Sequence, residues 1–189
     1  MSLRVLAGQQ RGRRLHVPND GTRPTGSLVR GAVFDVLAHR GWLAGRVILD
    51  LFAGSGALGI EALSRGAASV VFIDEAPAAV RVVRRNLMLS ALSDRARVLA
   101  LPVERGLRRL VAERFVAAGV FADPPYGRGL AGRTLAAVAA SGVLSEGGWI
   151  ALEHAAGEDV PAPDGFAPVT VRRHGRTSVT VLVREEETS

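Results

Sequence analysis

The tetrapeptide Asp123-Pro124-Pro125-Tyr126 follows an apolar run, Val116 to Ala122, and combines groups that could activate an amine on a planar ring. Such an amine is a poor nucleophile because its lone pair is conjugated into the ring. Two acceptors that take both of its hydrogens favour a pyramidal nitrogen and turn the lone pair toward an electrophile. Asp123 supplies a carboxylate and Pro124 a backbone carbonyl, while the two prolines fix two φ angles and keep both acceptors aimed. Tyr126 adds an aromatic face on which a base can stack, worth roughly 1 to 3 kcal/mol per base. A base reaches such a motif only as a nucleotide turned out of its helix or already unpaired. Asp123, Pro124 and Tyr126 are therefore the candidate catalytic residues.

The electrophile needs its own site, and an upstream motif offers one. In Asp50-Leu51-Phe52-Ala53-Gly54-Ser55-Gly56, continued to Gly59, the glycines have the spacing G-x-G-x-x-G after an apolar run, a pattern shared with dinucleotide sites. The acids separate the two possibilities. Asp50 lies at the carboxyl end of the first apolar run and Asp74 at the end of the next, so both should face the crevice above a sheet. A dinucleotide pyrophosphate would be repelled there, whereas the ammonium and sulfonium of S-adenosylmethionine would be attracted. Asp74 can accept hydrogen bonds from ribose hydroxyls, and Gly54 and Gly56 let backbone approach a ligand with no Cβ in the way. The candidate cofactor residues are Asp50, Phe52, Ala53, Gly54, Gly56, Asp74, Glu75 and Val103, with S-adenosylhomocysteine as the product. In Leu101-Pro102-Val103-Glu104, Pro102 has neither a side-chain acceptor nor an N–H. The adenine would be held by the Val103 backbone, by Glu104 or by apolar contact.

Composition narrows the rest. The 189 residues are 48% apolar, enough for one well-buried core, since a chain near this size buries roughly 70% of its unfolded surface. No uncharged apolar stretch approaches the roughly 18 residues of a spanning helix, and no apolar signal core opens the chain, which points to a cytoplasmic protein with no membrane partner. The chain has no cysteine, and its four histidines, at 16, 39, 154 and 174, have no metal-ligand spacing. They read as surface or loop residues, and no metal is expected. All 24 basic residues are arginine, a usage that codon bias in a GC-rich genome would produce. Their distribution says more. Residues 1–30 hold Arg4, Arg11, Arg13, Arg14, Arg23 and Arg30 against one acid, Asp20, a net +5 of the chain's +6. A local cluster of this kind suits the phosphates of a polyanion, and these six arginines are the candidate residues for binding it.

The elements that must position these groups follow from patterning. Leu3 to Gly8, a polar turn, and Arg13 to Val17 read as a basic β-hairpin, giving an arm over residues 1–20 and a main domain over 21–189. Leu28, Val29, Ala32, Val33, Val36 and Leu37 recur at helical spacing up to Gly41. From Arg46 onward, strands at Val47 to Phe52, Val70 to Ile73, Val98 to Leu101, Val116 to Ala122 and Gly148 to Leu152 alternate with helices, which predicts a mostly parallel α/β sheet covered on both faces. Pro77 suits a first helical turn, with Asn86 at the exposed end of that helix. Val169 to Val171 and Val179 to Val183 are too close for a parallel crossover and predict an antiparallel hairpin.

With these residues in place, the chain resembles the bacterial 16S rRNA guanine-N2 methyltransferases. The likeness rests on Arg4 to Gly8 with Gly12 to Leu15, Arg23-Pro24-Thr25 with Val29-Arg30 and Phe34, Asp50 to Ala67, Asp123 to Gly127, and Gly175 with Thr177 to Leu182. It implies a seven-stranded, Rossmann-like class I S-adenosylmethionine-dependent methyltransferase fold. It also implies methyl transfer to N2 of one guanine in 16S rRNA, within the small ribosomal subunit or a protein-bound assembly intermediate. Gly26-Ser27-Leu28, Gly31 and His174 depart from the family pattern. A DNA adenine-N6 methyltransferase could also use Asp-Pro-Pro-Tyr, but such enzymes generally carry a target-recognition domain for which this chain has no room. A protein glutamine methyltransferase gives no reason for the basic arm. A non-catalytic ribosome assembly factor of the same fold gives none for keeping Asp50, Gly54, Gly56 and Asp123. The tetrapeptide alone does not separate guanine N2 from adenine N6, and nothing in the sequence sets an oligomeric state.

Overall fold

Ile48, Leu49 and Leu51 of the first strand, β1 (Val47–Leu51), are all fully buried, as a strand with helices on both faces requires. A computed structural model describes residues 3–18, 27–127 and 129–186. Strands β2 (Ser69–Asp74), β3 (Ala96–Ala100), β4 (Ala117–Ala122), β5 (Leu144–Ala155), β6 (Phe166–His174) and β7 (Thr177–Arg184) join β1 in one sheet of order β3-β2-β1-β4-β5-β7-β6. β7 pairs antiparallel with both β5 and β6, and the other pairings are parallel.

Helices α1 (Ser27–His39), α2 (Ala57–Ser64) and α3 (Pro77–Leu89) pack with one face, around Phe34, Ile60, Val83, Phe72, Phe121 and Trp149. Phe34 and Trp149 flank Phe121 at ring-centroid distances of 5.1 and 4.9 Å. Helices α4 (Val103–Ala112) and α5 (Leu130–Ser141) supply Leu107, Leu110, Leu135 and Val138 to the other face, against Leu49, Leu51, Ile73 and Val120. Gly59 sets the depth of α2 on the sheet, because a Cβ there would lie 2.3 Å from the Phe72 ring. Pro77 opens α3 as its missing N–H allows. The order reverses where β1 meets β4, and in open α/β sheets the crevice beyond the carboxyl ends at such a switch point receives ligands.

Several expectations change. β5 runs from Leu144 to Ala155, well beyond Gly148 to Leu152, because it pairs parallel with β4 on one side and antiparallel with β7 through Ala155 on the other. Asn86 is fully buried: its amide donates to the carbonyls of His16 and Ser55 at 2.9 and 2.8 Å, and its Oδ1 accepts from the His16 N–H at 2.9 Å. His154 is also buried, on β5, with Nε2 2.9 Å from the Thr180 hydroxyl, so it is neither a surface nor a loop histidine.

The N-terminal arm doubles back through Val5 N–H to Arg13 O, Gly12 N–H to Val5 O and Leu15 N–H to Leu3 O. Among its described residues, only the Arg4–Arg14 bridge has sheet geometry. The arm is pinned to α2: the buried Glu61 carboxylate accepts the Leu6 and Ala7 N–H groups at 2.7 and 3.0 Å, and Gln10 N–H donates to the Ser64 hydroxyl at 2.9 Å. At Gly8, with φ +79°, a Cβ would lie 1.9 Å from the Ser64 carbonyl oxygen, so only glycine permits this approach.

Candidate active site

A cleft of about 690 Å³ opens at the carboxyl ends of β1, β2 and β4, and Asp50, Asp74 and Asp123 all line it. Asp50 points under α2, 1% exposed, and accepts the Gly59 N–H at 2.9 Å. Burial holds its carboxyl well above the usual carboxylate range; the Gly59 hydrogen bond offsets part of this, and the charges of Asp123 and Asp74 add to it. Asp74 ties the glycine loop to β2, its Oδ2 accepting from Gly54 N–H at 2.8 Å and its Oδ1 from Ala76 N–H at 2.9 Å. The loop turns through Phe52, which holds φ 56°. A bulky side chain rarely adopts that conformation, and such strain clusters at functional sites.

Ala53, Gly54 and Glu75 also line the cleft, whereas Gly56 caps α2 behind it with φ 75°. Opposite the glycine loop, Pro102 precedes the first turn of α4, with Val103 buried and Glu104 exposed at the wall. This wall offers apolar contact and backbone groups to an adenine.

Asp123 follows β4 directly, and its N–H reaches back to Leu51 O at 3.4 Å. Pro124 is buried beside it. The Tyr126 ring stands half exposed, while its hydroxyl lies 2.7 Å from Glu153 Oε1 and 2.7 Å from Thr177 Oγ1. Partial burial pushes the phenol up to about 12; the Thr177 hydrogen bond pulls it back somewhat, and Glu153 adds to the rise. Sequence reasoning misses Glu153 as part of the site. Its one local signal is a carboxylate ending the apolar run Trp149-Ile150-Ala151-Leu152.

The arginines divide. Arg4, Arg11, Arg13 and Arg14 are exposed on the arm, whose Val17 and Pro18 reach the cleft. Arg23 lies outside the described residues. Arg30 is 2% exposed on α1, where its Nη2 donates to the Arg4 carbonyl, and burial lowers its pKa. It lines the cleft wall and presents no outward charge. Among the described residues, no three His, Asp or Glu side chains converge to hold a metal ion, and no helix is long and apolar enough to cross a membrane.

A sheet of this order, with a glycine loop and acids at the ends of β1, β2 and β4, has the class I S-adenosylmethionine-dependent methyltransferase fold. The chain belongs to the family described as Conserved hypothetical protein 95, which matches residues 3–183. It is 38% identical over 157 residues to Ribosomal RNA small subunit methyltransferase D of Escherichia coli K12, covering 80% of this chain and 71% of that one. YlbH of Bacillus subtilis strain 168 is 34% identical over 181 residues, 95% of this chain and 97% of the relative. Among solved structures, the Escherichia coli protein yhhF matches with a TM-score of 0.84 and 33% identity, covering 98% of this chain and 99% of that one. A Thermus thermophilus protein, TTHA0928, matches with a TM-score of 0.83 and 35% identity, covering 94% of this chain and 97% of that one.

Proposed function

We propose that this protein transfers a methyl group from S-adenosylmethionine to the exocyclic N2 of a guanine in 16S rRNA, within the small ribosomal subunit or a protein-bound intermediate in the cytoplasm. One observation carries the reading: three carboxyl groups on different strands share a single cleft, which Pro124 and the half-exposed Tyr126 line beside Asp123. The residues present suit the cofactor. Burial, with Asp123 and Asp74 adding, raises the pKa of the Asp50 carboxyl, so a cationic ligand beside it is favoured. The loop at Gly54 brings backbone to the cleft wall with no Cβ between, and Asp74 beside it has lone pairs left for hydroxyl donors.

When bound, the cofactor supplies an electrophilic methyl on a sulfonium. Asp123 and the Pro124 carbonyl accept the two hydrogens of the amine and hold its lone pair out of conjugation. Forming the C–N bond would break the methyl–sulfonium bond and release neutral S-adenosylhomocysteine, and the nitrogen would pass its surplus proton to the Asp123 carboxylate. Tyr126 stacks on the extruded base, with its hydroxyl in reach of Glu153 and Thr177. The arm, through Arg4, Arg11, Arg13 and Arg14, contributes affinity for RNA phosphates. Arg30, being buried, acts at the cleft wall instead. The name of the Escherichia coli relative supports small-subunit rRNA as substrate.

The test is methyl transfer from labelled S-adenosylmethionine to small subunits from cells lacking the gene, followed by nucleoside mass spectrometry. N2-methylguanosine in 16S rRNA is the expected product. N6-methyladenosine, or no transfer while cofactor binds, would overturn the reading.

A further inference from the structure

The β6–β7 turn is a concentrated positive surface outside the arm, and the chemistry at Asp123 makes no use of it. Arg172, Arg173, His174 and Arg176 all lie within five consecutive residues and all are exposed. Among the described residues, Arg172, Arg173 and Arg176 form no ion pair. Arg172 donates to the Thr170 hydroxyl and the Val171 carbonyl, both on its own strand.

The position of the turn is specific. β7 begins at Thr177 opposite Ala155, the last residue of β5, so the turn projects from the carboxyl edge of the sheet, where the cleft lies. Ala156 N–H donates to the Arg176 carbonyl at 2.9 Å and fixes the turn to the end of β5. Thr177, next to Arg176, holds the Tyr126 hydroxyl at 2.7 Å. Neighbouring strands lie about 4.8 Å apart, so β7 is roughly 10 Å from β4 and Asp123, and β6, which carries Arg172 and Arg173, roughly 14 Å, within reach of the phosphates next to an extruded base.

Charges on an edge strand such as β6 commonly block pairing with another sheet. That purpose does not account for these arginines. Phe166 to Val171, most of the edge, carry no charge, and the arginines gather only at the cleft end and across the turn. Glu158 and Asp159 follow β5 in the adjoining loop without pairing to them. Like charges so placed repel one another over a screening length of about 8 to 10 Å, which a polyanion would relieve.

We propose that the β6–β7 turn is a second RNA-phosphate site, in which Arg172, Arg173 and Arg176 hold the backbone flanking the target nucleotide while the arm holds a more distant segment. This rests on the rRNA methyltransferase reading. The arm packs on α2 and α3 beside β1–β3, and the turn lies toward the opposite edge. The amine clamp therefore sits between two basic elements. An RNA strand that delivers one base to Asp123 would have its phosphates held on both sides, which keeps the base extruded.

The test uses the full chain and purified small subunits across a salt series. In the triple variant Arg172→Ala, Arg173→Ala, Arg176→Ala, the slope of log affinity against log salt should shrink by roughly 0.7 to 0.9 for each phosphate no longer neutralised. Affinity for S-adenosylhomocysteine should stay unchanged, which excludes misfolding. The triple lysine variant should recover most of the slope, since it keeps the charge. A triple alanine variant with the wild-type slope and wild-type transfer rate would overturn the turn as an RNA site. A wild type that neither binds small subunits with salt dependence nor methylates their rRNA would overturn the functional reading itself, and this inference with it.

Discussion

On the β1–β2 side of the cleft, the carboxylates of Asp50 and Asp74 are held by backbone N–H groups of Gly59, Gly54 and Ala76. On the β4–β5–β7 side, the Tyr126 hydroxyl is held by the side chains of Glu153 and Thr177. The difference concerns what can move. A carboxylate bonded to backbone is fixed once the fold forms, so the cofactor side is preorganised. A hydroxyl held by two side chains can exchange partners when a nucleotide enters, at the cost of a few rotamers. One half of the cleft is set by chain path, the other by side-chain choice.

Removing a group from the substrate side should accordingly damage rate and spare the cofactor. Asp123→Ala should lower single-turnover methyl transfer by on the order of 10²-fold or more, the usual cost of losing one preorganised acceptor or donor at a reacting centre. Affinity for S-adenosylhomocysteine should hold within a few-fold, which calorimetry on the same preparation measures. Transfer at the wild-type rate would take Asp123 out of the chemistry.

The converse substitution lies on the fixed side. Asp74→Ala should weaken cofactor binding by roughly tenfold or more, since a hydrogen bond to a charged group contributes about 1.5 to 3 kcal/mol and this one also anchors Gly54 N–H. The transfer rate at saturating cofactor should fall much less. A variant that loses rate at saturation but not affinity would invert the comparison.

The smallest effect is a pH dependence. Burial, with Asp123 and Asp74 adding, makes the folded protein grip the Asp50 proton more tightly than the unfolded chain does. Its contribution to stability is therefore complete below the ordinary carboxylate range and is lost as pH rises through the raised value. Denaturation across that window should show the decline in wild type and a flatter profile in Asp50→Asn. S-adenosylmethionine, which carries the sulfonium charge, should bind more tightly as Asp50 ionises, and S-adenosylhomocysteine should gain less. Parallel gains for both ligands would sever Asp50 from the sulfonium.

The same contrast explains which parts of the site are legible in the sequence. Asp50, Gly54, Asp74 and Asp123 lie in short runs where a strand gives way to a turn, and strand ends in a parallel sheet share one edge, so local pattern is enough to bring them together. The antiparallel β6–β7 pair is legible because the gap between the runs is too short for any crossover. Glu153 and Thr177 meet Tyr126 from 27 and 51 residues away, and no local period encodes that meeting. Arg30 falls in with the exposed arginines on charge alone, because net charge is blind to helix face; Val29, Val33 and Leu37 turn its side of α1 inward. Asn86 escapes for a related reason, since its partners come from the arm and the glycine loop, neither of which a helical pattern contains.

Glu61 has a further consequence, for modularity. α2 starts at the glycine loop and, one turn later, grips the arm through a carboxylate that is itself fully buried. The arm consequently cannot be treated as a cassette to be cut off or grafted elsewhere. Trimming it would strip two backbone donors from Glu61, leaving only the Arg65 guanidinium on Oε1, and would take Val5 and Leu15 out of the core. Chimeras that exchange arms between relatives should carry α2 along with the arm.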